Sequence, residues 1–387
     1  MTTTTGCKMF QIEPMESLGI GIIGGGYMGK AHAVAMSAVV GAYELNLRPT
    51  LEMVCARTQA SAANYRDAYG FRESTDDWRR LVASPAVQAI VIASPQQTHR
   101  EIALAAFAVG KPVLCEKPLG ANLNDSSAMA AAAAASGAVN MVGFNYIKTP
   151  ATQFAMQLVR QGAIGDIVFF RGEHTEDFFA DPQTPASWRS EGVENGAMGD
   201  LAPHIIQCAL AFCGPITDVC SSIQTIHALR PSPAGQHQVT NDDQAQMMCR
   251  FENGATGHLL ISRVATGRKM GYSYEITGTK GALRFDQEDQ NALWLYETSD
   301  PVDRAGFRKI MTGPAHPDYR AFCQGPGHGT GYQDQIIIEA SHFVTAIDSG
   351  RPAWPDFQVG LDVHRVAAAA LQSHAGGAWT AVDSVSS

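Results

Sequence analysis

Short, nearly unbroken apolar runs alternate with longer stretches of helix composition through the first part of the chain. The runs are Leu18–Ile23, Leu51–Ala56, Val87–Ala93, Pro112–Cys115 and Val139–Phe144. Between them, Ala31–Val40, Ala60–Tyr69, Trp78–Ala83, Arg100–Val109 and the Ala-rich Leu123–Ala135 carry no internal helix breaker. Strands that are apolar on both faces belong in a parallel sheet covered by helices on each side. This order predicts an α/β, doubly wound domain. Gly41–Pro49 reads as an insertion that lengthens the first strand–helix unit. The alternation stops at Tyr146. The domains are accordingly 1–17 as an N-terminal extension, 18–146 as the parallel domain, and 147–387 as a second α/β domain.

Beyond residue 146 the texture changes. Asp166–Glu176, Asp218–His227, Ala245–Phe251 and Ala255–Ala265 read as long strands. The last two flank Asn253-Gly254, a dipeptide suited to a tight hairpin turn. Tyr272–Thr277 and Ala282–Asp286 form another hairpin through Gly278-Thr279-Lys280-Gly281. Such strands predict a large, open, mostly antiparallel sheet. Gln333–Asp348 and Val359–Gln372 are the late helices, and helices on one face leave the other for association. An uncovered face argues against a lone monomer and for a homodimer or homotetramer.

Composition narrows the function classes. With 387 residues, 45% hydrophobic and 17% charged, the chain can bury a full core. The formal net charge of −9 argues against nucleic acid or an anionic membrane as partner. No apolar run is long enough to span a bilayer, and Met1–Ser17 has neither signal nor transit character. The eight Cys form no C-x-x-C pair, and several read as small buried hydrophobes, which fits a cytoplasmic protein. No metal site is expected: His174 and Glu176 exist, but further ligands at a tidy spacing do not.

The first chemical signal is Gly24-x-Gly26-x-x-Gly29, set between strand and helix with Tyr27 and Met28 inside it. In that order the glycines allow a sharp turn, close approach of a pyrophosphate, and tight helix–strand packing. The expected ligand is a dinucleotide, NAD(P). After the second strand a carboxylate would bind the ribose hydroxyls of NAD, whereas Ala56-Arg57-Thr58 stands here. Arg57 and Thr58 suit a 2′-phosphate and favour NADP over NAD. Two further signals follow. Lys117, in Glu116-Lys117-Pro118, sits at the carboxyl edge of the sheet, where it can hold or deprotonate a hydroxyl. Asp200 and His204 are four apart, hence on one face of a helix dated by Pro203 to begin near Asp200. Each has a purely structural reading as well: a loop lysine, a helix N-cap and a packed imidazole.

Together, Gly24-x-Gly26-x-x-Gly29, Glu116-Lys117-Pro118 and Gly199-Asp200-x-x-x-His204 resemble the glucose-fructose oxidoreductase / inositol dehydrogenase / MocA (Gfo/Idh/MocA) family. Phe144-Asn145-Tyr146, Ser187-Trp188-Arg189 and Thr312–Pro317 look most like bacterial levoglucosan and inositol dehydrogenases. The sequence departs at Ala56, where NAD-using members keep an acidic residue, and at Lys148, where relatives often have Arg. The resemblance implies a Rossmann domain and hydride transfer between a ring carbinol of a sugar, glycoside or cyclitol and the nicotinamide. It implies that Lys117 binds the reacting hydroxyl while His204, assisted by Asp200, accepts its proton; which of Lys117 and His204 is the formal base stays open. Ser94, Pro95, Gln96, His99 and Glu116 join the cofactor residues, and Asn145, Tyr146, Trp188 and Arg189 wall the substrate. Asp177–Asp181 is placed as a closing segment. Two alternatives keep the fold: a redox-neutral NAD-dependent glycosidase, and a non-catalytic NADP or sugar sensor.

Overall fold

The computed structural model describes residues 16–385. Most of the N-terminal extension therefore lies outside the described residues, while Glu16 and Ser17 belong to the first strand. The five apolar runs become β1 (Glu16–Ile23), β2 (Leu47–Cys55), β4 (Ala89–Ile92), β5 (Val113–Glu116) and β6 (Asn140–Gly143), with β3 (Glu73–Thr75) added between β2 and β4 in the chain. They form one parallel sheet in the order β3-β2-β1-β4-β5-β6. The helices between them are α1 (Tyr27–Ala42), α2 (Gln59–Tyr69), α3 (Trp78–Ala83), α4 (His99–Ala108) and α5 (Leu123–Ser136). The expected insertion is shorter than Gly41–Pro49, because β2 starts at Leu47 and includes Pro49. That proline is tolerated because β3 pairs only with Met53–Cys55, so no ladder bond is asked of it on that side. The three polar residues of β3 carry no apolar signal and were not expected.

Strand order reverses between β1 and β4, which opens a crevice at their carboxyl ends. The glycine loop lies there, and its three glycines act differently. Gly24 has φ +131°, and a Cβ on it would sit 2.2 Å from Ala93 O. A Cβ on Gly29 would sit 2.0 Å from Gly24 O, so helix and turn can meet only without one. At Gly26 a Cβ would meet nothing within 4 Å. Gly26 is also the N-cap of α1 and gives that helix end no side-chain bond, so the N–H groups of the first turn face an open cradle.

The second sheet has nine strands. After α6 (Pro150–Arg160) come β7 (Ile167–Thr175), α7 (Ala197–Asp200), α8 (Ala202–Cys213) and β8 (Ile216–Gln224). A small separate hairpin, β9 (Leu229–Ser232) and β10 (Gly235–Gln238), precedes β11 (Gln244–Phe251), β12 (Thr256–Ser262), β13 (Gly271–Gly278), β14 (Gly281–Asp286), β15 (Ala292–Glu297) and β16 (Arg308–Met311). The chain ends with α9 (Tyr332–Ser349), α10 (Phe357–Gly376) and β17 (Thr380–Ala381). The order is β16-β15-β14-β13-β7-β12-β11-β8-β17, antiparallel except for the β7–β12 pair. Gly254, at φ +87°, turns β11 into β12 as the Asn-Gly signal implied.

Of the late helices, α9 packs on the parallel sheet and α10 joins that sheet to the second one. Ile336, Ala340, Phe343 and Val344 of α9 share a core with Leu18, Ile20 and Ile22 of β1 and Met36 and Val39 of α1. Val363, Val366 and Ala370 of α10 join a larger cluster that runs from Ile90 of the parallel sheet to Phe170 and Leu259 of the other. Among the described residues, no helix is long and apolar enough to cross a membrane.

The glycine geometry separates folding from binding. Gly29→Ala should lower unfolding free energy by about 1–3 kcal/mol, the usual penalty of forced overpacking. Gly26→Ala should stay within about 1 kcal/mol of wild type, a small N-cap change, yet weaken dinucleotide binding at least about tenfold. Denaturant melts and cofactor titration read the two effects, and equal behaviour of the variants would contradict this assignment.

Candidate active site

The site is built on an interrupted helix. Gly196 opens α7, and a Cβ on Gly199 would lie 2.2 Å from Glu194 O, so only glycine lets this turn fold back on its own entry. Pro203 sits in the first turn of α8, and the His204 N–H reaches Leu201 O at 3.3 Å. Asp200 therefore closes α7 and is not the expected N-cap; Leu201 holds that position, without a side-chain bond. The break leaves the Asp200 carbonyl to be met from outside, and the Leu201 carbonyl takes a second partner besides the His204 N–H. Lys117 Nζ, just beyond β5, donates to Asp200 O at 2.9 Å and to Asp200 Oδ1 at 2.8 Å. His174 Nδ1, from β7, bonds Leu201 O at 2.9 Å.

Around this turn opens a cleft of about 540 Å³, walled by Tyr27, Tyr146, Phe178, Met270 and Tyr332 and bearing Lys117, His174, Glu176, Arg189, Asp200 and His204. Burial alone would raise the Asp200 carboxyl, yet Lys117 and Arg189 hold it below the usual carboxylate range. Burial, with Lys117 and His174 as nearby positive charges, drives the His204 imidazole well below its ordinary value, so it is neutral near pH 7. Its Nδ1 is buried with no partner among the described residues, which leaves Nε2 to meet a ligand. The Tyr146 ring lies 4.5 Å from the His204 ring and 5.0 Å from that of Tyr272. Arg189 Nε stands 3.8 Å from Asp200 Oδ2, while its guanidinium stacks on Trp188 at 4.2 Å. An ammonium, a carboxylate and a neutral imidazole thus converge on one polar floor under aromatic walls. This arrangement can bind a hydroxyl and take its proton.

Two expected wall residues are not in the cleft. Asn145 is buried and donates from Nδ2 to Gln335 Oε1 at 3.0 Å, and Trp188 is 58% exposed outside the rim. His174, Glu176, Phe178, Met270 and Tyr332 line it without having been expected there as substrate contacts. A signal existed for two of them: His174-x-Glu176 has the strand period of two, which puts both on one face at the end of β7. The segment expected to close over the ligand is anchored. Arg230, fully buried, donates to Phe179 O, Asp181 O and Thr184 O, and Lys269 pairs with Asp177 at 2.7 Å. Arg263, paired with Asp243 at 2.9 Å, donates to Arg189 O at 2.7 Å and fixes the neighbouring wall.

On the dinucleotide side, Tyr27 and Met28 open α1 at the cradle, and Tyr332 stacks on Tyr27 with centroids 6.2 Å apart. Arg57 is exposed and has no ionic partner among the described residues, and Thr58 caps α2 by accepting the Ser61 N–H at 3.2 Å. Ser94 and Pro95 form the turn after β4, and Gln96 reaches across to Asn195 Oδ1 at 2.5 Å. Two expected contacts face inward instead. Glu116 is buried beneath α1, 2.7 Å from His32 Nε2, and raises that imidazole although burial alone would lower it. His99 is buried with its ring nitrogens against Ser94 O at 2.9 Å and Leu119 O at 3.1 Å. It braces the loops after β4 and β5 and presents no free nitrogen to a cofactor. The open cradle at Gly26, the unbonded first turn of α1 and exposed Arg57 fit a dinucleotide.

Comparison with known proteins identifies the family. Residues 18–144 match the oxidoreductase family with an NAD-binding Rossmann fold, and residues 152–284 match the GFO/IDH/MocA C-terminal domain. Levoglucosan dehydrogenase from Pseudarthrobacter phenanthrenivorans is 36% identical over 389 residues, covering 96% of this chain and 100% of the relative. Glucose-6-phosphate 3-dehydrogenase from Bacillus subtilis is 23% identical over 88% of this chain and 92% of its own. A levoglucosan dehydrogenase structure in complex with NADH and levoglucosan superposes with a TM-score of 0.92 at 38% identity, over 95% of this chain and 100% of that one. The chain belongs to the Gfo/Idh/MocA family of NAD-binding oxidoreductases.

Proposed function

We propose that the protein is an NAD(P)-dependent dehydrogenase that oxidises a ring carbinol of a sugar, glycoside or cyclitol, or reduces the matching ketone. The observation that carries this reading is the convergence of Lys117, Asp200 and neutral His204 in one aromatic-walled cleft beside the glycine cradle. The nicotinamide, when bound, supplies the hydride acceptor or donor. Lys117 donates a hydrogen bond to the carbinol oxygen and stabilises negative charge that develops there. Asp200, kept ionised, fixes the direction of the Lys117 ammonium. His204 Nε2, unprotonated at neutral pH, accepts the hydroxyl proton as the C–H bond breaks, and returns it in reduction. The rings of Tyr146 and Tyr332 give a pyranose or cyclitol an apolar face to rest on, which serves orientation as much as affinity.

Arg57, exposed beside buried Ala56 with no carboxylate in the loop, favours NADP over NAD. The outer face of the nine-stranded sheet presents Phe169 and Met248, 37% and 49% exposed, among paired charges such as Arg171–Glu275. A second copy of the chain covers this face, giving a homodimer or homotetramer.

The direct test follows absorbance of reduced nicotinamide with NAD⁺ or NADP⁺ across inositols, aldoses, anhydrosugars and glycosides. Reduction with one class is expected, and Lys117→Ala and His204→Ala should each lower kcat by about 10²–10⁴-fold while cofactor binding persists. Unchanged turnover in either variant would remove that residue from the mechanism. For cofactor choice, Arg57→Glu should lower the NADP/NAD ratio of kcat/KM at least about tenfold by repelling the 2′-phosphate. A ratio that does not move would contradict the role given to Arg57.

A further inference from the structure

We propose that His174 is a positioning residue of the site: set between Glu176 and the Leu201 carbonyl, it clamps the turn that carries Asp200 and His204. The proposal rests on the dehydrogenase reading above and adds a residue to the machinery of that same site. His174 is 1% exposed and lies near the end of β7. Its Nδ1 is 2.9 Å from Leu201 O, and its Nε2 is 3.2 Å from Glu176 Oε1. A carbonyl oxygen only accepts, so Nδ1 carries a proton. Nε2 then faces a carboxyl oxygen, and a second proton lies between those two atoms; without it a lone pair would point at an anion. Both ring nitrogens are thereby spent, and neither is left to take a proton from substrate. Around the ring pack those of Tyr146, Tyr272 and His204, with centroids 5.6, 5.6 and 5.5 Å away.

The two anchors of the ring differ in kind. Glu176 is fixed through its backbone: its N–H donates to Ser262 O at 2.8 Å, and its carbonyl accepts from Ala265 N at 2.9 Å. Leu201 lies at the break between α7 and α8, and the only other bond its carbonyl takes within the turn is the longer one from the His204 N–H, at 3.3 Å. The preceding carbonyl, Asp200 O, is held by Lys117 at 2.9 Å. Two successive carbonyls of one turn are therefore gripped from two sheets, by Lys117 from the parallel one and by His174 from the nine-stranded one. A turn gripped at Asp200 alone could rotate about that point. Asp200 and His204 lie on either side of Leu201, so such a rotation moves the anchor of Lys117 and the proton acceptor relative to each other. A misplacement of about 1 Å in groups of this kind costs about a hundredfold in rate.

The test separates the two nitrogens. In His174→Asn the side-chain amide takes the place of Nδ1 and keeps a donor on Leu201 O; in His174→Gln it takes the place of Nε2 and meets Glu176 alone. Turnover is measured with the best substrate among levoglucosan, glucose and myo-inositol, per site counted by dinucleotide titration. His174→Gln should lower kcat per site at least about tenfold, with KM and the dinucleotide dissociation constant within about threefold of wild type. His174→Asn should recover most of that loss. A merely structural role would lower the number of binding sites or the melting temperature in both variants and leave kcat per site alone. Equal kcat per site in the two variants overturns the proposal. If neither variant binds dinucleotide, Glu176 decides: Glu176→Leu releases Nε2 and should lower kcat per site, and Glu176→Gln, whose amide still pairs with Nε2, should restore it. Wild-type kcat in Glu176→Leu then overturns the proposal. A wild type silent on every substrate is a different result and overturns the dehydrogenase reading itself.

Discussion

The ammonium of Lys117 is the point at which the two halves of the molecule become one site. It leaves the carboxyl end of β5 in the parallel sheet and makes two bonds, to the main chain and side chain of a residue 83 positions later. Those bonds exist because Pro203 interrupts a helix. An unbroken helix through Asp200 and His204 would spend the Asp200 carbonyl internally. The far side of the same turn rests on the nine-stranded sheet. Ile205 sits so closely on β7 that a Cβ at Gly172 would lie 2.8 Å from its Cδ1. The position of the turn is thus fixed by a charge from one sheet and by close packing on the other.

The same crowding sets the electrostatics. Lys117 keeps Asp200 charged in a place where burial alone would favour its neutral form. Lys117 and His174, with burial, deny His204 a second proton. The groups therefore settle into complementary states near neutral pH: a cationic donor, an anionic anchor and a neutral acceptor. Behind them, Glu116 pairs with His32 beneath the cofactor helix, and Arg230 and Arg263 hold the outer wall. The cleft is preorganised by buried charge contacts more than by loops free to close.

Much of this was legible in the chain. The apolar runs gave five of the six strands of the parallel sheet, and the three glycines stand for three different steric reasons that spacing alone could propose. Asp200 and His204 were recognisable as a pair, but the helix break that turns Asp200 toward Lys117 was not, since Pro203 is equally at home in the first turn of one continuous helix. Glu116 and His99 resemble cofactor contacts in sequence, because burial and partners such as His32 become visible only when α1 packs over β5. Asn145 and Trp188 fail for related reasons: one is satisfied inside by Gln335, and the other is turned outward onto Arg189. His174 and Glu176 lay in a strand whose period of two already placed them together. What they face depends on a sheet brought against a helix about 30 residues later, a tertiary contact that carries no local signal.

The account stands on the Lys117–Asp200 contact, and Asp200→Asn tests it most directly. The amide keeps the size of the carboxylate and an oxygen for Lys117 but removes the charge that anchors it. With cofactor affinity measured in parallel, kcat should fall by about a hundredfold or more, while the dinucleotide dissociation constant stays within about threefold. Turnover at the wild-type level in Asp200→Asn would show that this charge contact does not organise the site.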